Sequence, residues 1–354
     1  MSQEKLREIQ TKAGAILTED AKVPVSFGDD RAGLNAATTA VVLCDRSNWG
    51  LIKLTGDDRL RFLHNQTTNN IESLKSGSGC DTIFVNSTGR TLDLAAVYLT
   101  EDAILVLVSP NRRQQLMQWM DRYLFPMDKV ELADISDRFA IFTLIGPQSD
   151  EIVQKLSLET ILGQPEASHC QIEIGDVLLT VAVGNGLGIA GYNFIVPIDK
   201  SAEIWSKIIE AGAKPIGDRV WEQLRVIQGR PASDRELTEE YNPLEAGLMG
   251  AISFEKGCYI GQETIARLNT YQGVKQRLWG VKLDREIPSG AIVTLEEAKV
   301  GKLTSIAEIE DGVFRGLVYV KTKAATAGQK VTVGETSAEL ISLPFLNHEY
   351  YKPS

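Results

Sequence analysis

Residues Lys256 to Arg267 read K-G-C-Y-I-G-Q-E-T-I-A-R, and their types and spacing are the ones in this chain best suited to chemistry. Cys258 stands between Gly257 and Gly261. Glycine accepts positive φ and close backbone approach, so the spacing predicts a tight, shaped loop around one thiol. Gly261 falls where a helix should begin, with Glu263 in the first turn and a helical pattern through Arg267. A thiol near a helix start, with Lys256 two residues before it, is favoured as thiolate below the usual pKa of about 8.5. A buried cysteine that only packs is the other reading of the same residue.

The stretch resembles the K-G-C-Y-x-G-Q-E signature of the YgfZ family. These are folate-binding proteins implicated in iron–sulfur cluster assembly and repair, related to the T-protein (aminomethyltransferase) of the glycine cleavage system. Pro243–Leu248 (P-L-E-A-G-L), Ala251–Phe254 (A-I-S-F) and Leu224–Pro231 (L-R-V-I-Q-G-R-P) resemble the same family, and the likeness runs from about residue 40 to about 345. It implies an α+β fold: two interlocked ferredoxin-like α+β units around a central ligand channel, with a C-terminal antiparallel β-barrel. It implies tetrahydrofolate, or a one-carbon derivative, as cofactor. The partners it implies are iron–sulfur enzymes or their assembly factors and, through them, tRNA modification. A folate-dependent aminomethyltransferase or demethylase of the T-protein type is the alternative, and a scaffold with a vestigial pocket is a third reading.

Folate is a flat pterin with a donor–acceptor edge, an aryl linker and an anionic glutamate tail. Its site needs a carboxylate facing the pterin edge, apolar or aromatic walls and basic residues for the tail. The resemblance assigns the carboxylate to Glu245, which could equally be a loop or helix-start acid. Arg225 and Arg230 are candidates for the tail, or for ion pairs to the acidic loop 234–240. Tyr259 and Gln262 of the signature join the expected binding set. So does Gln66, in Phe62–Asn69 (F-L-H-N-Q-T-T-N), although amides at a helix end also serve as caps. Asp93, in G-R-T-L-D, matches the aspartate of T-protein methylene transfer to within a residue. The Gly-Gly pair and second acid are missing, since Leu94 follows, and an outward strand position stays open for Asp93. Cys258 and Asp93 are therefore the expected catalytic residues. Gly184–Gly188 (G-N-G-L-G) looks like a dinucleotide loop, but a strand rather than a helix follows, which excludes it.

The 354 residues exceed what one core usually holds, so more than one domain is expected. A net charge of −10 argues against a broad nucleic-acid or anionic-membrane surface. No apolar run approaches the roughly 18 residues of a membrane span. The N-terminus lacks a signal-peptide core and carries acids, so a cytosolic protein or a mature form is expected. Cys44, Cys80, Cys170 and Cys258 include no C-x-x-C pair, and His64, His169 and His348 show no ligand spacing, so no metal site is expected.

Periodicity supplies the elements that must position these residues. Residues 3–16 read as an amphipathic helix, and the segment up to about 40 as loop and turn. Strands at 40–43, 51–54, 80–86, 92–99 and 103–108 surround a helix at 59–65 and precede another at 111–125. A similar order follows: strand 139–145, helix 150–156, strands 177–183 and 191–197, helix 200–211, which suggests an internal duplication. Helix 218–228, the acidic loop 232–242 and the signature complete a region of residues 1–274, with a linker at 268–273. From 275 to 354 the pattern changes to short alternating strands punctuated by Gly and Pro, which predicts a small antiparallel barrel as a second domain.

Overall fold

The computed structural model describes residues 2–18 and 22–352. The chain begins with α1 (Ser2–Lys12), whose Leu6 is fully buried. The segment expected as loop holds a second helix instead, α2 (Asp30–Thr39). Asp29 caps it by accepting the Ala32 N–H at 2.8 Å. Its Gly33 is a packing residue, since a Cβ there would stand 2.9 Å from Cγ2 of Ile216. The glycine that makes this stretch read as loop is what lets the helix lie close to its neighbour.

The expected elements follow as β1 (Val42–Asp45), β2 (Gly50–Thr55), α3 (Arg59–Gln66), β3 (Ser78–Val85), β4 (Thr91–Leu99), β5 (Ile104–Val108) and α4 (Arg113–Asp121). Next come β6 (Glu131–Asp134), β7 (Phe139–Ile145), α5 (Ser149–Lys155), β8 (His169–Ile174), β9 (Val177–Val183), β10 (Gly191–Pro197), α6 (Ser201–Glu210), β11 (Lys214–Ile216) and α7 (Asp218–Gln228). The sequence pattern does not single out β6, β8 or β11. These strands are short or half exposed and bury too few side chains to show a period.

The strands form two sheets, of order β11-β1-β7-β10-β9-β8 and β3-β4-β5-β2-β6. Strand β1 precedes the first α+β stretch yet pairs with β7 and β11 of the second, while β6 turns back to β2. The sheets are therefore interlocked rather than successive, which a period-based reading cannot distinguish.

The chain divides into two compact units, with boundaries at the start of α3, in the loop after it, and inside β3, β4 and α7. One comprises Met1–Arg59, Ser73–Cys80 and Ala96–Trp221; the other Leu60–Glu72, Asp81–Ala95 and Glu222–Ser354. In the first, Leu6, Leu43, Phe142, Phe194 and Trp205 anchor one buried cluster. In the second, Ile83, Val85, Leu94, Leu244, Leu248, Tyr259 and Ile265 share a cluster, so the turn-and-loop segments around the signature pack as one body.

The second unit continues with α8 (Gln262–Thr270), which occupies the start of the expected 268–273 linker. A closed barrel follows, β12 (Gln276–Leu283), β13 (Ile292–Leu295), β14 (Ala298–Glu310), β15 (Val313–Lys321), β16 (Lys330–Val333) and β17 (Thr336–Ile341), in the order β12-β15-β14-β13-β16-β17. Its interior is aliphatic, with Val281, Leu303, Val318 and Leu340 fully buried. Strand β14 shifts register between Leu303 and Ser305. The bulge turns Ser305 away from the barrel core that Leu303 fills. Among the described residues no helix is long and apolar enough to cross a membrane.

Candidate functional site

All eight residues singled out in the sequence lie in the second unit. The signature loop is clamped from below by the end of α3. Lys256 is buried, and its ammonium donates to the carbonyls of His64, Thr67 (2.6 Å) and Asn69 (2.8 Å). Those oxygens belong to a helix end that would otherwise lack donors. Lys256 is thus a remote cap, with its Nζ also 4.8 Å from the centre of the Tyr259 ring. Tyr259 itself is buried, which raises its phenol pKa.

The Ile260 N–H donates to Asn65 O at 3.1 Å, and Gln262 Nε2 donates to Gly257 O at 3.3 Å. Gly261 adopts φ 79° as the N-cap of α8, and a Cβ on it would meet Asn86 O at 2.5 Å. Only glycine fits both demands. Cys258 is exposed at the crest of this loop, whereas Cys44 is buried and Cys80 and Cys170 are partly covered. The buried His64 accepts the Glu72 N–H on Nδ1 at 3.3 Å, so its own proton sits on Nε2. Burial, then Lys256, pushes its pKa down.

Glu245 lies in a turn built by reciprocal bonds with Asn242. Asn242 Oδ1 accepts the N–H groups of Leu244 and Glu245, each at 3.0 Å, and Glu245 Oε2 accepts the Asn242 N–H at 3.0 Å. The bonds have the reciprocal pattern of a capping box, on a turn that does not continue as a helix, so Glu245 is a loop acid. The Glu245 carbonyl accepts the Leu278 N–H at 2.8 Å, fixing the turn to the barrel. Arg90 Nη1 approaches Glu245 Oε2 at 3.5 Å and donates to Glu240 O at 2.9 Å. Burial still dominates: it raises the Glu245 pKa against the opposing Asn242 N–H, Arg90 and Gln276.

Arg225 is 2% exposed and enclosed by the chain's own acceptors. It donates to both oxygens of Glu222, to Glu236 Oε2 at 3.1 Å and to Ser305 Oγ at 2.8 Å. Of its two expected roles, the structure places it as a brace to the acidic loop. Arg230 is also buried, with its guanidinium 5.6 Å from the centre of the Phe345 ring.

Asp93 is fully buried on β4 and accepts the Ser233 hydroxyl at 2.7 Å, so the outward strand position does not occur. Gln66 ends α3, is 5% exposed, and its Oε1 is buried with no hydrogen-bond partner. Lys256 takes the capping role and leaves this acceptor unused. Arg90 was not among the sequence candidates; its only signal is its place after Gly89 in the N-S-T-G-R turn. Among the described residues no group of three or more His, Cys, Asp or Glu side chains could hold a metal ion.

The model of the GCVT N-terminal domain matches residues 7–256. The chain belongs to this family. A chloroplast protein of Arabidopsis thaliana, carried under a transferase description, is 43% identical over 340 residues, 96% of this chain and 78% of its own. An aminomethyltransferase of Caldanaerobacter subterraneus is 30% identical over 346 residues, covering 93% and 90% of the two chains. The crystal structure of the glycine cleavage aminomethyltransferase T of Bartonella henselae superposes with a TM-score of 0.86 at 19% identity, over 98% and 99%. The fold is that of the GCVT family, closed C-terminal barrel included. At family level the chain is aminomethyltransferase-like.

Proposed function

We propose that the chain binds tetrahydrofolate through its second unit and handles a one-carbon unit on it, as aminomethyltransferases do. One observation carries the reading: Glu245 is a buried carboxylate whose partners do not offset its burial. The amino-amide edge of a pterin would add N–H donors to those the chain supplies. Gln66 Oε1, buried without a donor, is a second acceptor of the kind this ligand satisfies. The residues present therefore fit the group. When bound, tetrahydrofolate would supply the nitrogen atoms that carry the one-carbon unit.

In this reading Glu245 orients the pterin edge and Asp93, held by Ser233, is the acid–base group. Gln262 closes the signature loop on Gly257 O, and Tyr259 packs into the buried cluster of that unit. Arg225 is enclosed by carboxylates, so tail recognition falls to Arg230 or to the half-exposed Arg90. Titration of the full-length chain with tetrahydrofolate should give saturable binding, and Asp93→Asn should retain it while losing aminomethyl transfer. Failure of the wild-type chain to bind would overturn the proposal.

A YgfZ-like role in maintaining iron–sulfur enzymes, and through them tRNA modification, is the second reading. It is favoured by Cys258, the exposed thiol among four, in a loop fixed from both sides. Cys258→Ser should then leave tetrahydrofolate affinity unchanged yet fail to restore iron–sulfur enzyme activity in deficient cells. Full complementation by that variant would end this reading.

A further inference from the structure

The first unit contains a groove to which the folate reading gives no part. Its construction starts at the S-N-W-G turn (Ser47–Gly50) that joins β1 to β2. The buried Asp45 carboxylate accepts from Arg7 Nη1 (2.5 Å), Gln10 Nε2 (2.9 Å), the Ser47 N–H (2.9 Å) and Ser47 Oγ (2.6 Å). These bonds fix α1 to the turn. Beneath it the Arg46 guanidinium lies between Trp49 and Trp221, 3.6 Å and 3.8 Å from their ring centres. The turn that bears Asn48 is therefore held on both sides.

Two adjoining hollows open there, of about 570 Å³ and 440 Å³, and both are lined by Lys22, Asn48 and Arg113. Each is within the size range of small-molecule sites. Arg113 is paired with Asp134 and Asp137. The two remaining groups have unmet needs of opposite sense. Asn48 Oδ1 is enclosed without any donor. The exposed Lys22 ammonium makes no ion pair with a carboxylate among the described residues.

We infer that this groove binds a free α-amino acid: Lys22 takes the carboxylate, and Asn48 Oδ1 accepts from the ammonium group. A simple anion would leave Asn48 unsatisfied, and a simple amine would leave Lys22 without a counter-charge. The charges of Arg7, Glu8, Arg113 and Asp137 in the walls are already paired, with Asp45, with Lys12 and, for the last two, with each other, so the ligand's two ends fall to Lys22 and Asn48.

The test uses the full-length chain, with Trp fluorescence and ligand-observed NMR as readouts. The probes are the common α-amino acids, each matched with its des-amino acid and its decarboxylated amine. At least one amino acid should bind saturably with a Kd of about 1 mM or tighter, and its two half-molecules at least roughly tenfold more weakly. Lys22→Gln and Asn48→Ala should each weaken binding roughly tenfold, with melting temperatures held as controls for folding. No binding by any amino acid at about 10 mM would overturn the inference. Equal binding of a des-amino acid, or an unchanged affinity in Lys22→Gln, would overturn it as well.

Discussion

Two buried carboxylates of the second unit, Glu236 and Glu245, sit nine residues apart and meet opposite treatment. Glu236 is 0% exposed, and each of its oxygens is used: Oε2 by Arg225 at 3.1 Å and the Ala232 N–H at 2.9 Å, Oε1 by Ser305 at 2.6 Å. Around the same guanidinium, the pKa of Glu222 is held below the usual carboxylate value although burial pushes it the other way. Glu245, 6% exposed, has one backbone N–H at 3.0 Å, a guanidinium at a loose 3.5 Å and the Gln276 side chain, and burial still prevails over all three. Saturation marks the Arg225 cluster as architecture, joining α7, the acidic loop and the bulged strand β14. The deficit at Glu245 marks a place where a ligand can add free energy that the chain itself leaves ungained.

The comparison is broken most directly by removing charge from the saturated side. Glu236→Gln should destabilise the fold by about 2–3 kcal/mol in urea unfolding, because the buried Arg225 keeps Glu222 but loses its fully buried counter-charge. A loss below about 1 kcal/mol would show that the cluster is not held by its ion pairs. Comparable in size, Lys256→Met should cost about 2–4 kcal/mol, since three carbonyls at the end of α3 lose their donor. Limited proteolysis should then cut near residues 64–69 first.

A pH profile sharpens the contrast further. His348 is a base depressed by burial to about 4, with Nε2 hydrogen-bonded to Leu278 O at 2.8 Å. The fold holds it neutral, so its contribution is complete above about 6.5 and is lost as pH falls toward 4. After a discount for partial exposure of the ring, that loss is about 2 kcal/mol, and His348→Gln should flatten it. Glu245 runs in the opposite sense. Its folded pKa is raised, so its stabilising share is present below about 4.5 and disappears as pH rises through the folded value. Without ligand, Glu245→Gln should therefore match the wild type in acid and equal or exceed it at neutral pH, by less than about 1 kcal/mol.

Much of this was legible in the residues. Alternation after Lys275 marked the barrel, and Gly261 followed by Glu263 marked the start of α8. The interlocking of the sheets was expected from the family resemblance and not from periodicity, because the partners of β1 and β6 are decided by packing far along the chain. Helix α2 was hidden by Gly33, whose use is a contact with Ile216 that no local pattern records. The two readings of Arg225 could be separated only once Glu222, Glu236 and Ser305 were seen to surround it. Lys256 looked like a neighbour of the thiol and is bonded instead to the end of α3, a segment almost 190 residues away. Arg90 was marked only by its place after Gly89 in a turn.

The central claim is that Glu245 is under-partnered for the sake of a ligand, and one variant tests it. Tetrahydrofolate affinity of Glu245→Gln should be measured by titration calorimetry beside its unfolding free energy at neutral pH. Affinity is predicted to fall by about 1.5–3 kcal/mol while stability is retained or rises. Unchanged affinity in a folded variant, or an affinity loss matched by an equal loss of stability, would contradict the account.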